Sequence, residues 1–271
     1  MSLREKNKHL GEILQDMKKV MVAFSGGVDS TFLLARAQEE LGDNVVAITA
    51  ASETFPSREY NEAIALAKTL NVPYMETRVS EFANENFVNN QPDRCFHCKD
   101  GLYDHLNAVA DKHDYPYILD GANRDDVGDY RPGMKAARDQ GVRSPLLEAG
   151  FRKDEIRMLS KEMGLSTWNK PSFACLSSRI PYGTKITQEK IDQLDIAENY
   201  LIRSGFKQVR VRHHENIARI EIMPEDFPKM MECHDEVNEA LKAAGFQYVA
   251  LDLQGYRTGS MNDVLKKVQS S

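Results

Sequence analysis

Short apolar runs alternate with helix-period stretches along the first half of the chain. Val20–Phe24 is apolar and β-prone, Val45–Ala50 repeats that pattern, Val72–Val79 contains a third run and Tyr117–Leu119 is a fourth. Runs this short and this continuously apolar suit strands buried on both faces of a parallel sheet. Helical patterns lie between them. Thr31–Glu40 follows the first run, and a second helix has Ser57 as its cap with Tyr60, Ile64 and Ala67 on one face. Strands alternating with helices predict right-handed βαβ units, hence an α/β fold with a doubly wound parallel sheet.

The pattern changes near Pro181–Gly183. Thr187 reads as an N-cap, Ile191, Leu194 and Leu201 form an apolar stripe, and Gly205 ends the helix. Val209–Arg212 and Ile217–Ile222 alternate like the two arms of a hairpin. A helical segment from Asp226 to Ala244 and a last strand within Gln247–Leu253 complete the order αββαβ. The expected division is therefore 1–185 for a nucleotide domain carrying the cysteine loops, and 186–271 for a small α+β domain that binds substrate or joins subunits. No internal repeat or low-complexity tract interrupts either half.

Charge narrows the partners. The chain has 41 acidic and 35 basic residues, a net charge of −6. That balance argues against nucleic acid as the main partner, since phosphate backbones favour a basic face. No apolar run approaches the roughly 20 residues of a membrane helix, and Met1–Gly11 is charged without a signal core. The expectation is a cytoplasmic protein without a membrane partner. In a reducing compartment Cys95, Cys98, Cys175 and Cys233 point to metal or thiolate chemistry rather than disulfides.

The first strand runs directly into Ser25-Gly26-Gly27-Val28-Asp29-Ser30, and a helix follows at once. A strand, a glycine turn and a helix start make an anion site, because the first helical N–H groups lack partners and the helix dipole favours negative charge there. Gly26 and Gly27 allow close backbone approach, and Ser25 and Ser30 add hydroxyl donors. Asp29 is the group suited to a bound Mg²⁺. The loop is neither a Walker A motif nor G-x-G-x-x-G. Its bland alternative is a tight turn without a ligand.

Ser25–Ser30 is similar to the S-G-G-x-D-S signature of the PP-loop ATP pyrophosphatases. The resemblance implies an adenine nucleotide alpha hydrolase-like domain in which Ser25, Gly26, Gly27, Val28, Asp29 and Ser30 hold ATP. It implies attack on the α-phosphorus, release of pyrophosphate and formation of an adenylate, with Asp29 and Ser30 at the reaction.

Cys95-Phe96-His97-Cys98 is a C-x-x-C pair, and Cys175 follows far downstream in Pro171–Arg179. Three thiolates can hold a [4Fe–4S] cluster with one iron open. The same residues can serve a zinc site if Cys233 or a histidine joins, or can carry no metal. Cys233, beside Met230 and Met231, reads as a small core or surface residue. Both cysteine segments are expected on loops at the carboxyl edge of the sheet, near the phosphate loop.

Further stretches agree with one subfamily: Val22–Ser30, Asp120-Gly121-Ala122-Asn123, Asp129-Tyr130-Arg131-Pro132-Gly133, Pro171–Arg179 with Pro181-Tyr182-Gly183, and Leu251-Asp252-Leu253 with Gly255-Tyr256-Arg257. Together they resemble the sulfur transferases that build the nickel-pincer nucleotide of lactate racemase. That resemblance spans nearly the whole chain. It implies adenylation of a carboxylate of pyridinium-3,5-biscarboxylic acid mononucleotide, followed by replacement of oxygen with sulfur. One version of the family sacrifices a cysteine at the place of Cys175, leaving dehydroalanine. The other adds a C-x-x-C and relays sulfide through a [4Fe–4S] cluster, so Cys95, Cys98 and Cys175 are the implied ligands here. A separate sulfide source and a homo-oligomer are also implied.

A mononucleotide substrate needs cations for its phosphate. Arg210 and Arg212 lie two apart on one strand and face one side, and Arg219 on the next strand can join them. Glu198 and Arg257 enter by the resemblance, and Arg179 is a second anion contact beside Cys175. Ordinary salt bridges on an exposed sheet face are the alternative. His213 and His214 receive no role. Asp125, Asp126 and Asp129 form an acidic loop that suits either a metal or a solvated turn. Two other activities share the loop: a tRNA sulfurtransferase, disfavoured by the acidic charge, and an ammonia-using synthetase, which needs no cluster.

Overall fold

The computed structural model describes residues 1–127, 132–172, 174–257 and 259–262. They belong to two compact units, Met1–Phe87 with Pro92–Phe173 and Val88–Gln91 with Ala174–Ser271.

The first unit is built on β1 (Val20–Ala23), β2 (Val45–Ala51), β3 (Tyr74–Arg78) and β4 (Ile118–Leu119). They pair in the order β3-β2-β1-β4, and every pairing is parallel. Its helices are α1 (Leu3–Met17), α2 (Val28–Leu41), α3 (Ser57–Thr69), the short α4 (Glu85–Val88), α5 (Arg94–Lys112), α6 (Pro132–Asp139), the short α7 (Pro145–Glu148) and α8 (Lys153–Glu162). Strand alternation divides the core in two. Val20 and Val22 join Phe32, Leu33, Ala63 and Phe151 on one side, while Met21 joins Tyr103, Leu106 and Ala137 on the other. Both faces of β1 are thus covered, and the continuous apolar run is the sequence trace of that burial. Each fully buried large side chain, such as Phe32 or Leu33, contributes about 1.5–3 kcal/mol.

The chain leaves β1 toward β2 and β3, then returns to place β4 on the other side of β1. A crevice opens outside the carboxyl ends of strands where the order reverses in this way. The expected helix after Ser57 is present, but its cap is Pro56 and its buried face is Glu59, Ala63 and Ala67. Tyr60 and Ile64 are only half-buried. The face is shifted because Glu59, though charged, is held by Lys170 at 2.7 Å.

The second unit contains α9 (Gln188–Arg203), β5 (Val209–His214), β6 (Ile217–Ile222), α10 (Phe227–Glu232), α11 (His234–Ala243) and β7 (Tyr248–Leu251). β5 and β6 form the expected antiparallel hairpin, and β7 joins β6 in parallel. Thr187 caps α9 through a bond from Lys190 N at 3.3 Å. Gly205, at φ 88°, follows its end. The single helical segment expected from Asp226 to Ala244 is instead two helices that meet at Cys233, whose φ of −117° and ψ of 22° leave the helical region. Asp235 and Glu236 then stand in a first helical turn, where the dipole favours them.

Besides Val88–Gln91, the second unit takes in the chain from Ala174 onward, upstream of the expected boundary near 185. Cys175 and Arg179 therefore belong with the smaller unit. The reason is packing: Leu176, Arg179 and Ile180 are buried, and Arg179 is bound to Glu198 of α9.

Candidate active site

The phosphate loop joins β1 to α2. Phe24 is fixed to β2 on two sides, by its N–H to Ile48 O at 2.8 Å and by Thr49 Oγ1 to its carbonyl at 2.6 Å. Gly26 has a φ of 68°, and a Cβ there would stand 3.0 Å from Ala63 Cα of α3. Glycine is needed both for the torsion and for the close approach. Gly27 is the N-cap of α2 and offers no side chain to it. The first intrahelical bond runs from Thr31 N to Gly27 O at 3.0 Å. The N–H groups of Val28, Asp29 and Ser30 precede that bond, and form the donor set that an anion can use. Ser30 Oγ lies 3.1 Å from Ser25 Oγ and donates to Gly27 O at 3.3 Å, which braces the loop from within.

The end of β4 closes the other wall. A Cβ on Gly121 would stand 3.0 Å from Ser30 N and 3.1 Å from Asp29 Cβ. Asp120 accepts from Ser144 Oγ at 2.6 Å and Tyr103 OH at 3.3 Å, and Asn123 Nδ2 donates to Asp29 Oδ1 at 3.5 Å. The stretch Asp120–Asn123 is thus the scaffold of the loop on the side where the strand order reverses.

Cations also gather here. Lys153 is ion-paired with Asp29. Burial pushes the Asp29 carboxyl up from its ordinary value, with Lys153 opposing the rise and Asp126 adding to it. Lys170 donates to Gly26 O at 3.2 Å and pairs with Glu59 at 2.7 Å and Glu62 at 2.8 Å. Because a trans peptide carries its C=O and N–H on opposite sides, holding the Gly26 carbonyl turns the Gly27 N–H the other way. No motif in the sequence marks Lys153 or Lys170, although Lys170 directly precedes Pro171 of the Pro171–Arg179 stretch. The acidic loop is engaged within the protein. Asp126 Oδ2 accepts from Asn123 N at 2.9 Å, and Asp125 Oδ2 accepts from Lys153 N at 2.7 Å. Asp129 lies outside the described residues.

Cys95 and Cys98 stand near the start of α5, as its second and fifth residues, rather than on a loop. Three residues apart on a helix, they share a face, and each is half-buried. The positive end of the helix favours thiolates there. Cys98 Sγ donates to Glu81 Oε1 at 2.8 Å, and Thr54 Oγ1 donates to Glu81 Oε2 at 2.5 Å. Among the described residues no group of three His, Cys, Asp or Glu is arranged to hold a metal ion.

Cys175 opens the short turn Leu176–Arg179 in the second unit, with its Sγ 2.9 Å from Ser177 Oγ. Arg179 is 2 % exposed. It donates to Ala174 O at 2.7 Å and Cys175 O at 3.1 Å, and forks onto Glu198. Burial opposes the charge on Arg179, but Glu198 and then Cys175 outweigh it and hold the guanidinium above its ordinary value. Glu198 also accepts Val211 N at 2.9 Å. Both residues are committed to fastening the Cys175 segment to α9 and β5.

Arg210, Arg212 and Arg219 share one face of the small sheet. Arg212 donates to Ser178 O at 2.9 Å, to Glu221 at 2.8 Å and to Ser260 Oγ at 2.8 Å. Arg219 bonds Glu221 at 3.1 Å and lies 3.6 Å from Asp252. Arg210 lies over the Tyr256 ring at 5.4 Å. Burial, and after it the charge of Arg179, lowers its pKa. Arg257 is exposed. On the opposite face His213 is buried against Phe246, 2.9 Å from Gln193 Oε1, and burial pushes its pKa down to about 4. Cys233 Sγ donates to Lys229 O at 3.2 Å.

A parallel sheet with the S-G-G-V-D-S loop at its point of reversal defines an ATP-utilising enzyme of the PP-loop class, and the NAD synthase family profile matches residues 3–101. The chain is 43 % identical over 269 residues to the pyridinium-3,5-bisthiocarboxylic acid mononucleotide synthase of Lactiplantibacillus plantarum, covering 99 % of this chain and 98 % of that one. It is 42 % identical over 267 residues to an uncharacterised protein of Synechocystis sp., covering 98 % and 100 %. A tRNA-specific 2-thiouridylase of Desulforamulus reducens is 26 % identical over 57 % of this chain and 53 % of its own. The chain belongs to the family of the pyridinium-3,5-bisthiocarboxylic acid mononucleotide synthase. The fold and the family expected from the sequence are both borne out. No helix among the described residues is long and apolar enough to cross a membrane.

Proposed function

We propose that this enzyme adenylates a carboxylate of pyridinium-3,5-biscarboxylic acid mononucleotide and then inserts sulfur, giving the thiocarboxylate used for the nickel-pincer cofactor of lactate racemase. The observation that carries this reading is an anion site of the S-G-G-V-D-S type in a chain 43 % identical, end to end, to a synthase of that product.

The N–H groups of Val28, Asp29 and Ser30, with the Ser25 and Ser30 hydroxyls, bind the phosphate chain of ATP. A substrate carboxylate oxygen forms a bond to the α-phosphorus as the bond to the bridging oxygen breaks. Pyrophosphate leaves with the electron pair, and its charge is met by donors already aligned for it. The acyl adenylate then accepts a sulfur nucleophile at its carbonyl carbon, and AMP departs. Asp29 is the carboxylate that would face Mg²⁺, which would neutralise phosphate charge.

Cys95 and Cys98, as two thiols on one helix face at a positive dipole end, suit thiolate ligation, and with Cys175 would hold a [4Fe–4S] cluster. Such a cluster, when bound, would hold sulfide from an external source as the sulfur nucleophile. Arg210, crowded by the charge of Arg179 in a half-buried place, is the best candidate to receive the substrate phosphate, with Arg212, Arg219 and Arg257 around it. Arg179 and Glu198 position the Cys175 segment. A cytoplasmic homo-oligomer is part of the same reading.

Mass spectrometry of the mononucleotide after anaerobic incubation with ATP and sulfide tests the proposal. The expected product carries sulfur in place of a carboxylate oxygen. Amide formation from ammonia, or thiolation of tRNA instead, would refute it.

A further inference from the structure

The chain enters the second unit twice, and its first passage is only Val88–Gln91. Asn90 is the centre of that strap. It is fully buried, and its φ of 54° is left-handed, a torsion that asparagine adopts more readily than most residues. Its Nδ2 donates to Ile180 O at 3.2 Å, Pro181 O at 2.8 Å and Thr184 O at 2.9 Å. Two backbone bonds reinforce the contact, from Gly183 N to Asn90 O at 2.9 Å and from Ile186 N to Val88 O at 3.0 Å. A primary amide has two N–H groups, so three carbonyls take up the whole donor capacity of this side chain. Ile180 and Ile186 are buried too, and a carbonyl stripped of its donor there keeps its desolvation cost.

Two cysteine-bearing stretches leave this knot. Cys95 comes five residues after Asn90, and Cys175 comes five residues before Ile180, whose carbonyl Asn90 holds. Five residues span at most about 18 Å when fully extended. On the Cys175 side Leu176–Arg179 is a tight helical turn, which shortens that reach. On the Cys95 side Pro92 directly follows the strap and fixes one backbone torsion. The knot itself lies wholly within the second unit, where Arg179, next to Ile180, is bound to Glu198. The Cys175 segment is thus fastened at two adjacent residues, by a salt bridge and by the Asn90 amide.

We propose that Asn90 is a positioning residue for the sulfur chemistry: it pins the strap that leads to Cys95 and Cys98 onto the segment that follows Cys175, and so keeps the three thiols within reach of one another. The inference rests on the reading above, in which those thiols act together. Asn90 takes part through hydrogen bonds alone and forms no covalent bond.

Cross-linking of the reduced, metal-free full-length protein with dibromobimane, a short reagent that bridges two thiols, tests it. Peptide mass spectrometry identifies the product that joins Cys175 to Cys95 or Cys98. The variants are N90G, which keeps the left-handed torsion and loses the amide, and N90D, which keeps the size and loses the N–H donors. L241A removes a buried side chain of α11 and serves as a control for loosening of the second unit. All are compared at a temperature where circular dichroism is native. Wild type and L241A are expected to form the bridge, and N90G and N90D to form it about 10-fold or more slowly, the size of effect that misplaced reacting groups produce. Bridging in N90G and N90D at the wild-type rate, or an equal loss in L241A, would make Asn90 an ordinary structural residue and overturn the inference. Wild-type protein that forms no such bridge would overturn the three-thiol reading instead.

Discussion

Arg179 meets Glu198 with two parallel hydrogen bonds, Nε to Oε1 at 2.9 Å and Nη2 to Oε2 at 2.8 Å, and spends its third nitrogen on the carbonyls of Ala174 and Cys175. Breaking a buried pair leaves one charge stranded, which costs about 3–5 kcal/mol. Glu198→Ala is therefore expected to destabilise the protein by that order in urea unfolding. It also frees the Cys175 segment, so Cys175 should react faster with a thiol reagent than in wild type. Unchanged reactivity would show that Arg179 does not position it.

Gly121 supplies a second expectation. A methyl group there meets Ser30 N and Asp29 Cβ at 3.0 and 3.1 Å, and the neighbours are backbone or directly attached to it. Gly121→Ala should cost about 1–3 kcal/mol and weaken ATP binding by displacing the start of α2. Calorimetry with ATP checks it, with Gly141→Ala as a control for strain alone, since Gly141 has a φ of 74° and open space around it.

The histidine in the small unit sets a pH response. The His213 pKa is lowered from 6.5 to about 4 by burial, so the fold binds the neutral ring. Its contribution is complete above the unfolded value and is lost as pH falls from 6.5 toward 4. Chemical unfolding at several pH values should show a shallower acid loss in His213→Gln than in wild type.

Metal content gives a fourth expectation. Anaerobically prepared protein supplied with iron and sulfide is predicted to hold about four irons per chain, and Cys95→Ala to lose them. Stoichiometric zinc in place of iron would remove the cluster from the proposal.

Much of this was legible in the sequence because the relevant forces are local. Val20–Phe24 followed by two glycines and a serine specifies a strand, a positive-φ turn and a helix start without help from distant residues. Thr187 and Gly205 mark the ends of α9 in the same local way. Other features depend on contacts far along the chain. The buried face of α3 follows Glu59 because Lys170 neutralises it, and no periodicity encodes that. Lys153 reaches Asp29 only after the sheet is assembled. Arg179 looked like a substrate contact from its place beside Cys175, yet its partner Glu198 lies in the next helix. The cysteine pair was expected on a loop, but Arg94–Lys112 continues as a helix through both residues. The break at Cys233 was signalled by Asp235 and Glu236, a helix-start pair inside a segment read as continuous.

Attack on the innermost phosphorus of ATP fixes which phosphate is released. Incubation of the anaerobic enzyme with ATP and pyridinium-3,5-biscarboxylic acid mononucleotide, followed by separate quantification of pyrophosphate and orthophosphate, is the measurement. Pyrophosphate and AMP are expected, dependent on the mononucleotide and abolished in Asp29→Asn. Release of orthophosphate with ADP would contradict it.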